Sequence, residues 1–274
     1  MIKASAAYAR PSSCRSGSYV AIVAAVLVAC ASRASAQTTT EYPLAIADRP
    51  ILLNAGMTEL DISADFPTFL KTDAMGNPTT TRSGFADNGR PGFAVTHSFG
   101  PVQVTAGVGP LFYGAVSWKT RAVPAVLSIS LTSNLSARTD PPSDFYDAQS
   151  FAVSHKVVVS PGRFAVYGRA SAALIEYSTR LDRGMASAGH IVWLSAHASG
   201  ELQITPRLGM YFGASVRGPA SESSNFHDTS TLASDIELRM ALGTWDLYGS
   251  FELSNLTSTL LTYTSFGFSK RWGR

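Results

Sequence analysis

From Leu232 to Leu242 the side chains alternate: Leu232, Ile236, Leu238, Met240 and Leu242 fall on one face, Asp235, Glu237, Arg239 and Ala241 on the other. Successive residues of a strand point to opposite sides of a sheet, so this pattern specifies a strand with one apolar and one polar face. The pattern recurs. Thr58, Leu60, Ile62, Ala64 and Phe66 oppose Glu59, Asp61, Ser63 and Asp65; Trp245, Leu247, Gly249, Phe251 and Leu253 oppose Asp246, Tyr248, Ser250, Glu252 and Ser254. Residues 208–216 and 262–272 alternate in the same way, and weaker runs lie near 92–99, 102–109, 111–119, 125–134, 149–159, 163–177 and 189–204. The spacing predicts an all-β fold of twelve strands.

Turn chemistry separates these runs in two styles. Short breaks fall at Gly100-Pro101, Ala122 to Pro124, Ser160 to Gly162, Thr205-Pro206 and Gly243-Thr244, where Pro and Gly supply the backbone angles of a tight turn. Longer polar breaks cover 67–90, 136–148, 179–188 and 219–228, with brief ones at 107–110 and 255–258. Short and long connections therefore alternate along the chain. An even, up-and-down antiparallel order lets the last strand pair with the first and removes both sheet edges.

Only 15% of the residues are charged, against about 25% in soluble domains. A soluble barrel or sandwich turns its polar face to water and needs that charge. A transmembrane barrel reverses the arrangement, apolar outward to lipid and polar inward, with strands of about 9–11 residues crossing the bilayer. The polar faces here are small and mixed, which favours an antiparallel up-and-down transmembrane β-barrel over a secreted soluble barrel that binds a small ligand. Lipid, with no water to satisfy amides, admits only closed sheets or helices, and no long apolar helix follows residue 31.

The first 36 residues read as a secretory signal: basic residues, an apolar run from Tyr19 to Ala29, then Ala34-Ser35-Ala36 ahead of Gln37. Cleavage after Ala36 is expected, with Leu27 to Cys30 as a minor lipidation alternative. Cleavage would remove both cysteines, Cys14 and Cys30, together with Lys3, Arg10, Arg15 and Arg33. The total of 22 basic residues then falls to 18 against 19 acidic ones, so a basic nucleic-acid surface is not expected. The expected organisation is a signal peptide (1–36), a periplasmic segment (37–56) and a barrel (57–274).

The ending Tyr263-Thr-Ser-Phe-Gly-Phe-Ser-Lys-Arg-Trp272 resembles the closing strand of bacterial outer-membrane proteins, although Gly273-Arg274 follows the usual terminal aromatic. The opening Ala47-Asp-Arg-Pro-Ile-Leu-Leu-Asn-Ala-Gly56 is similar to that of porin-like outer-membrane β-barrels, in which an Arg-Pro segment precedes the first strand. The resemblance implies a location in the outer membrane of a Gram-negative bacterium. It also implies contact with outer-membrane lipid and the barrel assembly machinery, and a role as a narrow channel or structural barrel for small solutes. It supplies no catalytic residues.

Alternation places Glu59, Asp61, Asp65, Glu201, Asp235, Glu237, Asp246 and Glu252 inward, with Lys119, Lys156, Arg169, Arg207, Arg217, Arg239 and Arg271. Closure should gather Asp235, Glu237, Asp246, Glu252, Arg271, Glu59 and Asp61 on one acid-rich wall, with Arg169, Arg207 and Arg217 towards the other side. Charged walls of this kind set ion selectivity in pores, whereas groups paired across the bore would fill it. His190 and His197 are too isolated to suggest a metal site, and no cofactor is expected. An outer-membrane lipid-acting hydrolase is the alternative function. Ser195, His197 and Ser199 share a face, but the spacing shows no carboxylate placed to orient the histidine and no Gly-x-Ser-x-Gly elbow is present.

Overall fold

The computed structural model describes residues 42–72, 78–81, 90–109, 112–120, 124–133, 145–180, 186–220, 231–256 and 259–273. The signal segment, with Cys14, Cys30 and Ala36, lies outside the described residues. After a one-turn 3-10 helix at Ile46–Asp48 come β1 (Met57–Thr72), β2 (Pro78–Thr81), β3 (Arg90–Ser98), β4 (Val102–Val108), β5 (Phe112–Lys119) and β6 (Ala125–Ser133). Then follow β7 (Phe145–Ser160), β8 (Phe164–Arg180), β9 (Ala186–Gln203), β10 (Leu208–Pro219), β11 (Thr231–Leu242), β12 (Trp245–Leu256) and β13 (Thr259–Gly273). Every pairing is antiparallel and between sequence neighbours, except that β1 pairs with β3 and, from Met57↔Gly273 to Lys71↔Thr259, with β13. That pairing closes the sheet into a barrel.

β3 pairs with Thr58 to Asp65 of β1 and β2 with Phe69 to Thr72, so both occupy one flank of β1 in succession. The barrel thus has twelve staves, as the alternation predicted. One expectation is corrected. Residues 67–90 are not one loop, because β1 runs on through Pro67 and Pro78–Thr81 folds back against it. Prolines are tolerated there because Pro67 is paired on one flank alone, to Tyr263 of β13, and Pro78 is the first residue of its strand. Likewise β7 begins at Phe145, β8 ends at Arg180 and β9 begins at Ala186, which shortens two of the expected long breaks. The β3–β4, β7–β8, β9–β10 and β11–β12 connections are all short and lie at one end; at Gly243 a φ of +72° is what makes the two-residue turn between β11 and β12 accessible.

The apolar face points outward. Leu232 is 63% exposed, and Ile129, Leu194, Val216, Leu238, Leu247, Phe251 and Phe266 are each above 40%. The inward face is polar and, in places, fully buried: Asp246, Ser254 and Ser269 have no exposed surface. The barrel is the inside-out arrangement that the low charge content called for.

Candidate functional site

Residues 42–56 do not hang below the barrel. They enter its short-turn end as a strap. Ile46 and Ala47 are buried, and Gly209 of β10 makes room, since a Cβ there would stand 2.5 Å from Ile46 Cγ1. Gly56 N donates to Ser98 O of β3 at 2.8 Å, and further up the strap wall side chains satisfy the backbone. Gln203 Oε1 accepts from Ile46 N and Gln103 Oε1 from Leu53 N, both at 2.8 Å. Lys156 Nζ donates to the carbonyls of Ile46 (3.0 Å) and Arg49 (2.7 Å), and Asp48 Oδ1 accepts from Gly162 N at 2.8 Å. Buried backbone polar groups need such partners, which is why an irregular segment can sit here at all.

Arg49 is the strap's deepest anchor. Its guanidinium grips Asp246 through Nη1 and Nη2 at 2.5 and 3.1 Å. Arg271 Nη2 donates to the same carboxylate while its Nε donates to Glu59 at 2.6 Å. Arg239 Nη1 stands 3.6 Å from Asp246 and Nε donates to Glu237 at 2.8 Å. Lys156 pairs with Glu201. The ring of Tyr42 lies 4.6 Å from the Arg271 guanidinium and 5.4 Å from that of Arg49, and burial pushes its phenol above the ordinary value. A carboxylate with no exposure is tenable only when charge and hydrogen bonds replace its water; three guanidinium groups do so for Asp246.

The structure brings together most of the residues expected to share a wall. Asp235, Glu237 and Arg239 on β11, Asp246 and Glu252 on β12, Arg271 on β13, and Glu59 and Asp61 on β1 occupy adjacent staves. Asp235 faces Glu252, and Asp61 accepts from the Tyr248 hydroxyl at 2.8 Å. Arg169 of β8 and Arg217 of β10 sit in register with His197 and Ser195 of β9, on the inward-facing positions, and Arg217 stands directly beside β11, so these residues flank the acid-rich wall; Arg207 is an exposed residue of the 204–207 turn. The periodicity of β10 runs past its first residue into that turn, which is why alternation alone assigned Arg207 to the wall. Across the bore paired hydroxyls recur among the inward side chains. Thr96 pairs with Thr105 at 3.0 Å, Ser117 with Ser128 at 2.8 Å and Ser130 with Ser150 at 2.6 Å.

Two cavities result. The inner one, 420 Å³, lies between the charged wall and the strap, and the outer one, 440 Å³, between the strap and the β4 to β7 side. Arg49, Pro50, Ile51, Leu53 and Lys156 line both, so the strap is the partition. Sequence reasoning missed Arg49 and Tyr42. A signal was present: the wall expected at β11 to β1 holds six acids but only Arg239 and Arg271, so a buried Asp246 called for another cation.

The Ser195–His197 pair gains a carboxylate that the sequence did not reveal, since Asp235 Oδ1 stands 3.8 Å from His197 Nδ1. Ser195, however, is bonded to Ser171 Oγ at 2.6 Å, and no serine bonds the His197 ring among the described residues.

No protein-family model matches the sequence, and no curated protein matches it. Solved structures do. The beta domain of the Bordetella autotransporter BrkA has a TM-score of 0.47 at 10% identity, covering 78% of this chain and 98% of its own. An outer-membrane channel from Pseudomonas putida F1 has a TM-score of 0.46 at 10% identity, covering 86% and 100%. The NanC porin reaches a TM-score of 0.52 at 6% identity, covering 77% of this chain and 98% of that one. The chain thus shares with a porin a closed antiparallel barrel fold.

Proposed function

We propose that this protein is an outer-membrane barrel that passes small polar solutes through a bore narrowed at one end by its own N-terminal strap. The observation that carries the reading is the reversed polarity of a closed barrel: a girdle of exposed Leu, Val, Ile and Phe around an interior of charges, hydroxyls and cavities. Such a surface is stable against lipid and unstable against water, and a polar bore is what an aqueous path requires. Short turns face the periplasm in barrels of this kind, which puts the strap on the periplasmic side. The lipid-hydrolase alternative draws less support, because the His197–Asp235 pair points into the bore and lacks a bonded nucleophile.

The test is planar-bilayer recording of the refolded mature protein. Small, discrete conductance steps are expected; barrels that insert, resist carbonate extraction and never conduct would overturn the channel reading. Orientation has its own test. An epitope inserted at Asn77, between β1 and β2 and outside the described residues, should bind antibody on intact cells. One inserted after Pro161, in the short turn, should bind only after permeabilisation. The opposite result would place the strap at the cell surface.

A further inference from the structure

We propose that the inner cavity is a binding site for a neutral polyhydroxylated solute, a monosaccharide or polyol, an inference that rests on the channel reading and names its substrate class. Its 420 Å³ fits the small end of ligand pockets, which run from about 300 to 1,000 Å³. The charges around it decide what it admits. Arg49, Lys156 and Arg271 have side chains only 5%, 9% and 3% exposed, and each is engaged by a carboxylate. Arg239, at 21%, is held by Glu237. No guanidinium of the cavity lining therefore presents a free fork to a carboxylate or phosphate on a solute. An anion entering here would meet Asp235 instead, which is 31% exposed, faces Glu252 on β12 and has His197 Nδ1 3.8 Å away.

An organic cation would be drawn to Asp235 but finds no open aromatic cage. The rings of Tyr42, Tyr211 and Tyr248 already carry guanidinium groups at 4.6–5.5 Å. What remains accessible suits hydroxyl groups. Asp235 accepts, Ser199 and Thr96 both donate and accept, and Tyr167, tilted 56° to His197 at 6.1 Å, offers a ring for the C–H face of a sugar. The hydroxyl pairs opposite offer such a solute further hydrogen-bond partners.

The experiment adds D-glucose, D-glucuronate and choline separately to the conducting wild-type protein in potassium chloride. Glucose should block the current saturably, and the other two should not. Asp235→Ala should raise the half-blocking glucose concentration at least tenfold, while Ser250→Ala, inward but outside the cavity lining, should leave it unchanged. Block by glucuronate or choline as strong as that by glucose, or no glucose block, would overturn the proposal. Titration calorimetry of the same protein in detergent micelles with the same three probes reads the site without conduction. A silent barrel that binds glucose sinks only the channel reading; a conducting barrel that does not bind it sinks only the sugar site.

Discussion

Asp246→Ala should destabilise the barrel by about 3–5 kcal/mol, the usual cost of leaving a buried charge without its partner. Asp246 is fully buried and holds Arg49 and Arg271, themselves 5% and 3% exposed. Its removal strands both guanidinium groups. Arg271 belongs to a strand and cannot leave, although Glu59 still holds its Nε. Arg49 belongs to the strap and can leave. Asp246→Ala combined with Arg49→Ala should therefore recover part of the loss. The measurement is the urea midpoint at which the compact, fast-migrating form disappears on semi-native gels. A midpoint equal to wild type for Asp246→Ala would mean that the cluster is not what secures this end.

Leu238→Arg and Phe251→Arg should each impair insertion by about 2–4 kcal/mol if they sit near the bilayer midplane. Both side chains lie on the outer surface, 48% and 43% exposed. Ser250→Arg, one residue from Phe251 and on the inner face, places the same charge in the polar bore and should be far milder. Yield of the membrane-assembled form separates the cases. Equal losses at Ser250 and Phe251 would mean that the inner and outer faces have been exchanged.

The faces were legible from sequence because a period of two is a local property, visible in any ten residues such as Leu232 to Ala241. Strand number followed from turns written in Gly and Pro. What stayed hidden depends on distance through space. Arg49 meets Asp246 across 197 residues, and His197 meets Asp235 only because β10 sets the register between β9 and β11. The strap reads in sequence as an unpatterned opening, since its backbone is satisfied by scattered glutamine and lysine side chains. The fold-back of Pro78–Thr81 is not legible in sequence because proline argues against a strand except at an edge, a bulge or, as at Pro78, the first residue.

The clamp around Asp246 has a consequence for assembly. Glu59 comes from the first strand, Arg271 from the last and Arg49 from the segment ahead of both, so the cluster can exist only in a chain already circularised. Gly273, at φ +109°, lets the last strand end against Gly56, where any side chain would strike the Gly56 carbonyl oxygen. Joining β1 to β13 is the pairing of greatest sequence separation, the step that loop-closure entropy makes slowest. Strap docking is then a latch that sets only once the ring is complete, and a barrel that stalls open exposes its own N-terminal segment as the mark of unfinished work.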